Sequence, residues 1–505
     1  MTRSVDGTPR ESPHPMVPEI RLQTLNPAPI RPDGDFVLYW MVAHRRAEWN
    51  FALDRAIDHA QQLRKPLVVL EALRCDYPWA SDRMHRFVLQ GMAENARRFA
   101  PSAVHYYPFV ETRKGEGRGL LESLLARAAV VVSDLYPCFF LPRMQNAAAG
   151  RSDVHFEIVD GNGLFPLRAT EKVFARAVDL RRFLQKNLPP HLLDRPVAEP
   201  LKELELPRLE NLPEFITQRW PAASQSLRSA SSAVLAELPI DHNVPGVDFH
   251  GGTQAAEDTF QEFLGNRLDR YQDDRNRVTR RATSELSPYL HFGHISVHRL
   301  FHALAQREGW HPGKLGEQTR GAREGWWGMS GPTEGFLDEL VTWRELGFNM
   351  CWHRSDYDRY ESLPPWARKT LEDHQNDPRP YLYDLEEFEN AQTHDEVWNA
   401  AQRELKLDGR IHNYLRMLWG KKILEWSPTP QDALAVMIEL NNKYAVDGRD
   451  PNSYSGIFWC LGRYDRAWGP ERPIYGKIRY MTSDGARRKI DLAPYLARYG
   501  PLSTS

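Results

Sequence analysis

The sequence predicts a two-part protein: an α/β N-terminal domain on a doubly wound parallel sheet, then a mostly α-helical C-terminal domain. Three observations carry this. Up to residue 159, short apolar runs alternate with segments of helical periodicity, the pattern of a parallel sheet covered on both faces. Seven prolines between residues 189 and 222 (Pro189, Pro190, Pro196, Pro200, Pro207, Pro213 and Pro221) read as an ordered but irregular connection over the surface. From Gly251 on, strand signals nearly vanish.

Taken in order, residues 1–30 carry Pro, Ser, Thr and Arg with little apolar periodicity and read as a mobile lead-in. Phe36–Val42 is a buried strand, and Arg46–Leu63 a helix through Trp49, Leu53, Ile57 and Ala60. Pro66–Leu73 is a second strand, followed by a helix at Met84–Phe99, a strand at Ala103–Val110 and a helix at Gly119–Arg127. Ala128–Asp134 and Val154–Val159 complete five strands. In the second half, Thr253–Tyr271 is helical, with Ala256, Phe260, Phe263, Leu264 and Leu268 on one face. Further helices are expected at 294–307, 332–350, 364–374, 394–405, 411–425 and 430–443. The expected division is a lead-in at 1–30, the α/β domain at 31–185, a linker at 186–245, the helical domain at 246–495 and a tail at 496–505.

Composition narrows the function. The charged fraction of 26% and hydrophobic fraction of 41% are those of a soluble globular protein. A net charge of -2 excludes a bulk polycation, so any nucleic-acid contact must come from local basic patches. The four cysteines, Cys75, Cys138, Cys351 and Cys460, are far apart with no metal-ligand spacing, which points to free thiols in a reducing compartment. No apolar run approaches a membrane span, and no signal-peptide pattern opens the chain. Neither G-x-G-x-x-G nor G-x-x-x-x-G-K-[ST] follows any predicted strand. The sheet therefore either holds another ligand at its strand ends or only supports the second domain.

Two stretches stand out. In Thr283-Ser284-Glu285-Leu286-Ser287-Pro288-Tyr289-Leu290-His291-Phe292-Gly293-His294-Ile295-Ser296, hydroxyls precede a helix start, which suits phosphate oxygens. Ordinary helix capping explains the same residues. In Asp408–Trp426, a turn leads into a helix on which Asn413, Arg416 and Met417 cluster. Trp419 lies one turn beyond Arg416. Trp426 follows two turns later on the same side, about 10 Å along the axis. A guanidinium beside an amide, flanked by indoles, is unusual on one face. A packed core helix remains the plain alternative.

With these residues in view a resemblance becomes clear. The 283–296 segment resembles the flavin-pyrophosphate signature of the photolyase–cryptochrome family. Gly251-Gly252-Thr253 with Tyr271, Arg275 and Asn276 is similar to the family's entry to its FAD domain, and His412–Met417 to its flavin-ring helix. Tyr39-Trp40-Met41, Ala391–Gln402, Asp447–Asn452 and Trp468–Met481 look closest to class II cyclobutane pyrimidine dimer photolyases. The likeness runs from about residue 36 to residue 492.

The resemblance implies a folded-back FAD in the helical domain. Tyr271, Thr283, Ser284, Leu286 and Ser287 would hold its phosphates and ribityl chain. Arg416 and Asp447 would pair beside the ring, with Asn413 near it and Asn441 at its reactive edge. A reduced flavin anion needs a fixed positive partner, and a buried Arg needs a carboxylate. Excited reduced FAD would lend the electron that splits a dimer flipped out of the duplex. Trp343 and Trp459 would stack on the lesion, Tyr414 and Met417 would line its pocket, and Glu339 would bond the thymine edge. Trp419, Trp398 and Trp426 match a chain that reduces oxidised flavin in light, with Trp398 bridging the two-turn gap.

From Pro451 to Lys489, eight basic residues face three acidic ones, interleaved with Tyr464, Trp468, Tyr475 and Tyr480. That fits a phosphate-contacting rim, with Arg479 the first candidate for a DNA contact. The partner implied is UV-damaged DNA, met by a monomer with no membrane. The expected location is the cytoplasm of a prokaryote or the nucleus of a eukaryote. Departures from the class II pattern are Asn413, the bulkier Ser453–Gly462 stretch, Val42-Ala43-His44 and Gly161–Phe165. The last two leave a deazaflavin-type antenna chromophore allowed rather than implied. The alternative is a cryptochrome-type blue-light photoreceptor without repair. A third reading, repair of the other major ultraviolet photoproduct, would want His residues over the lesion; His291 and His412 sit in motifs that class II enzymes share.

Overall fold

The computed structural model describes residues 17–501. Six strands form one sheet: β1 (Leu22–Thr24), β2 (Phe36–Met41), β3 (Leu67–Leu73), β4 (His105–Val110), β5 (Ala128–Asp134) and β6 (Phe156–Val159), in the order β1-β6-β5-β2-β3-β4. β2 to β6 are parallel, and β1 adds an antiparallel edge with Leu22 opposite Val159. Along β2 the side chains alternate between two cores. Phe36, Leu38 and Trp40 enter one, and Val37, Tyr39 and Met41 the other, the period-two signature of a strand covered on both faces.

The edge strand corrects an expectation. Residues 17–30 fall in the segment read as a mobile lead-in, yet they are built into the domain. Arg21 is fully buried and donates to the carbonyls of Asp160, Gly163 and Leu164 at 3.2, 3.2 and 2.8 Å. A strand of three residues is too short to show alternation, so its sequence carries no signal. Residues 1–16 of that expectation lie outside the described residues.

The covering helices are α1 (Phe51–Leu63), α2 (Asp82–Phe99), α3 (Leu120–Leu125) and α4 (Leu141–Ala149). α1 starts five residues later than expected, because Trp49 takes a left-handed φ of 49° and the Asn50 side chain caps the helix by accepting from Ala52 and Leu53. α4, a short helix of nine residues rich in alanine, has no counterpart in the sequence reading.

β2 lies between β3 and β5, so the chain reverses its winding there. Open α/β sheets bind ligands at such a switch point. Here the backbone N–H groups of Val42, Ala43 and His44 all donate to Asp134 Oδ2, at 2.8, 2.8 and 2.9 Å, and the Tyr39 hydroxyl donates to Oδ1 at 2.7 Å. A carboxylate from the end of β5 thus fills the nest where a dinucleotide phosphate would sit. Burial alone would push this carboxyl up. His44, the N–H groups and Tyr39 overcome it and hold the carboxyl well below the usual range.

The proline-dense connection is packed against the sheet domain. Leu212, Ile216 and Trp220 are buried, and Trp220 Nε1 donates to Glu116 O at 2.9 Å. Beyond it the chain is helical; among the described residues no strand follows β6. The elements that frame the site are α5 (Arg344–His353), α6 (Glu396–Asp408), α7 (Asn413–Trp426), α8 (Pro430–Tyr444) and α9 (Pro451–Cys460). Two helices expected to be continuous are interrupted by π-helical turns, at Phe263–Arg267 and Asp338–Trp343. Such turns put side chains where no regular helix would, and they gather at functional sites. Among the described residues no helix is long and apolar enough to cross a membrane.

Candidate functional site

Tyr271 and Arg275 come from a broken helical stretch, and Glu339 from the second π turn. Arg275 Nη1 donates to Glu339 Oε1 at 2.7 Å, and its guanidinium lies 5.5 Å from the centre of the buried Tyr271 ring. Burial raises the Glu339 carboxyl above its ordinary value, and Arg275 opposes the rise. Arg275 was expected only as part of a motif, with no role at the site. Its partner is 64 positions away, and no local spacing announces the pair.

The 283–287 segment is tied to the chain on either side of it. Arg267 Nη1 donates to Thr283 O at 2.8 Å. Glu285, at φ 60°, meets Arg267 at 3.2 Å, Arg410 at 3.4 Å and also Arg281. Burial pushes the Glu285 carboxyl up, but these guanidiniums bring it below its usual range. Arg410 precedes α7, so the same carboxylate fastens the segment to the head of that helix. Leu286 is buried, and Ser284 Oγ sits 3.5 Å from Leu286 N. Ser287 is exposed as the first residue of the short Ser287–His291 helix.

α7 begins at a His412 cap whose ring accepts from Tyr414 N at 3.3 Å. One turn in, Arg416 Nη2 lies 3.9 Å from Asp447 Oδ1, an ion pair too long to be a hydrogen bond. Arg416 Nε, Asp447 Oδ1, His412 Nε2 and Trp459 Nε1 are all buried without a partner. Each such atom left unmet costs about 1–3 kcal/mol, so Arg416 and Asp447, which face each other, keep bonding capacity for a polar ligand. Asn413, expected beside Arg416, is exposed on the first turn of α7. Asn441, at the end of α8, is buried and donates from Nδ2 to Ser453 Oγ at 2.7 Å.

Trp343 and Trp459 stack with ring centres 4.7 Å apart and planes 16° from parallel. They come from chain segments more than a hundred residues apart, and only the packing of α5 against α9 brings them together. Tyr414 and Met417 are half-buried against the same core. Arg479 is exposed, with its guanidinium 5.3 Å from the Trp468 ring. A groove of about 420 Å³ runs between Tyr414, Trp468, Arg472, Arg479, Tyr480 and Arg488. Its lining combines cations with aromatic rings, the combination that suits a nucleic-acid backbone and its bases.

Behind α7 the three remaining indoles are in contact order. Trp398, on α6, stacks on Trp419 at 6.5 Å with planes 4° apart, and meets Trp426 edge-on at 6.0 Å. Trp398 Nε1 donates to Trp419 O at 3.0 Å, and Trp419 Nε1 to Gln402 Oε1 at 2.9 Å. All three indoles are buried.

The donor set fits a flavin dinucleotide. A guanidinium–carboxylate pair with unfilled bonding capacity suits the ring, and a hydroxyl-bearing segment before a helix suits the phosphates.

Comparison with known proteins adds the following. No family model matches the chain. It is 34% identical to the deoxyribodipyrimidine photo-lyase of Methanothermobacter thermautotrophicus, over 96% of this chain and 98% of that one. It is 33% identical to the Arabidopsis thaliana protein of the same name, over 91% and 88%, and 30% identical to that of Potorous tridactylus, over 92% and 81%. Among solved structures, a class III photolyase from Agrobacterium tumefaciens superposes with a TM-score of 0.66 at 16% identity, covering 93% of this chain and 87% of that one. A cryptochrome of Synechocystis superposes with a TM-score of 0.61 at 17% identity, covering 92% and 88%.

Proposed function

The chain belongs to the deoxyribodipyrimidine photo-lyases, and on that basis we propose how its residues divide the work of light-driven repair of pyrimidine dimers in DNA. The protein is a flavoenzyme of DNA repair, a photo-lyase. When bound, reduced FAD supplies the light-excited electron that opens the cyclobutane ring and takes it back.

The residues of the chain do the rest. Thr283, Ser284, Leu286 and Ser287 cradle the phosphates and ribityl chain, with Tyr271 as a buried wall. Arg416, backed by Asp447, sets a positive charge beside the ring, while Asn441 meets its edge and Asn413 lies at the rim. Trp343 and Trp459 offer an aromatic face to a dimer flipped out of the duplex, at the cost of opening their own stack. A damaged pair leaves the helix more easily than a sound one. Tyr414 and Met417 line the pocket, and Glu339, oriented by Arg275, bonds the pyrimidine edge. Arg479 holds the phosphate backbone as part of the basic groove. Trp419, Trp398 and Trp426 carry electrons inward to reduce an oxidised flavin. The protein works as a monomer, in the class II manner that its motifs resemble.

A second chromophore of deazaflavin type is proposed for the α/β domain. It would gather light a short way from the helical site.

The observation that carries the reading is the set of unpartnered buried polar atoms on Arg416, Asp447, His412 and Trp459, next to the Trp343–Trp459 stack. The test is to illuminate the reduced protein with an oligonucleotide containing a pyrimidine dimer and to assay restored monomers. Light-dependent restoration is expected. A protein that changes colour in light and restores none would be the cryptochrome-type photoreceptor instead.

A further inference from the structure

The π turn Asp338–Trp343 carries both Glu339 and Trp343. It joins the helix Gly331–Leu337 to α5 by fitting one residue more into a turn than an α-helix holds. Relaxing it to α-helix would slip the register by one residue and rotate one flank against the other by about 100°. The chain outside the turn stakes it at both ends. At the far end Arg344 donates to Asn162 O, and Glu345 Oε1 accepts from Leu164 N at 2.8 Å. At the near end stands Arg181, on the helix Ala177–Asn187 that follows the sheet. Its Nε and Nη2 donate to Asp338 Oδ1 and Oδ2 at 2.7 and 2.9 Å, a fork that fixes direction as well as distance. Both side chains are buried. The helix is anchored in turn by Gln185, which donates to Ala322 O at 2.9 Å and accepts from Gly321 N at 2.7 Å. A buried ion pair is a weak source of stability, because an apolar pair of similar volume often does as well; what it can supply is register.

We infer that Arg181 is a positioning residue for the lesion site: its fork on Asp338 sets the register of the π turn and so aims Glu339 and Trp343. The inference rests on the proposed lesion-facing roles of those two residues. Asp338 also touches the chemistry of its neighbour. Burial raises the Glu339 carboxyl, Arg275 opposes the rise, and Asp338 adds to it as a like charge. The other groups around Glu339 are Tyr271, from the same broken stretch as Arg275, and Arg323, from the loop beside Gly321. Replacing Asp338 by asparagine removes the negative neighbour and leaves the Arg181 charge unpaired. Both changes favour the ionised form of Glu339, so its proton is lost at a lower pH.

The test uses the flavin-loaded protein and compares its affinity for a dimer-containing duplex with that for the same duplex undamaged. Arg181→Met alone would strand a buried carboxylate, so it is combined with Asp338→Leu, an apolar pair in place of the ionic one. The double variant is expected to keep its flavin and its affinity for undamaged duplex. It should lose roughly tenfold or more in affinity for the dimer, the effect of a binding group misplaced by about 1 Å. Asp338→Asn is expected to move the fall of dimer binding with rising pH to lower pH. If the double variant binds the dimer as wild type while Trp343→Ala weakens binding, the inference is refuted and the lesion site stands. If Trp343→Ala also binds as wild type, the lesion does not lie there, and site and inference fall together. Loss of flavin, or an equal loss for both duplexes, overturns the inference as well, because the pair would then hold the fold rather than aim the site. So does an Asp338→Asn profile that coincides with wild type, since Asp338 would then not stand beside the group that meets the dimer.

Discussion

Replacing Trp398 by phenylalanine separates the electron relay from the fold. The substitution removes the Nε1 hydrogen bond to Trp419 O, worth about 1 kcal/mol. It leaves no orphan, because Trp419 sits well inside α7 and its carbonyl keeps an intrahelical partner. The smaller ring opens a void in a fully buried position, at about 1–2 kcal/mol. A total near 2–3 kcal/mol is within the usual margin of ~5–15 kcal/mol, so the variant should fold, bind flavin and melt somewhat earlier. Its relay should fail. Trp419 and Trp426 are two turns apart on one helix, about 10 Å along the axis, and the 6.5 and 6.0 Å contacts that divide this gap both belong to Trp398. A phenyl ring is too hard to oxidise to stand in. The assay follows bleaching of the oxidised flavin under blue light with an external reductant. In parallel, enzyme reduced beforehand with dithionite is given dimer-containing oligonucleotide. Photoreduction should be lost and repair by prereduced enzyme kept. Photoreduction at the wild-type rate would refute the relay, and loss of both activities would place Trp398 in the flavin site itself.

Three further perturbations probe the other parts. The Glu339 carboxyl is raised by burial, so a proton it donates to the lesion persists above the usual carboxylate range and is lost as pH rises; Glu339→Gln, which donates at every pH, should flatten the pH dependence of dimer binding above that range, and equal profiles would remove the proton from the argument. Arg479→Ala should weaken DNA binding without changing flavin content and lower the slope of log K against log salt by about one; an unchanged slope would take Arg479 off the phosphate backbone. Asp134→Ala should cost about 3–5 kcal/mol in denaturant unfolding, because the N–H groups of Val42, Ala43 and His44 lose their acceptor. The depressed carboxyl gives its stability at all pH values above the ordinary range and loses it only as pH falls through the folded-state value, so wild type and variant should converge in acid.

The architecture was legible because its signals are periodic and local. Alternating apolar runs placed β2 to β6 within about two residues, and helical periodicity placed α6, α7 and α8. What is short or irregular was not legible: β1 with its three residues, α4 with its nine, and the two π turns, which are breaks in a pattern rather than patterns. The candidate site divides in the same way. The segment before Pro288 and the face of α7 stand out in one dimension because hydroxyls and an arginine among indoles break the composition around them.

Sequence by itself determined the element types, the family and the residue kinds available for chemistry, since these depend on neighbours along the chain. Only the tertiary structure decided which of them meet. It set Arg275 on Glu339 and Trp343 on Trp459, and it laid Trp398 across the gap in α7. It also plugged the sheet's phosphate nest with Asp134. The physical reason is common to all four. Pairing energies of ions, rings and hydrogen bonds fall off within a few ångströms, so they depend on packing across long chain separations, which no local pattern encodes.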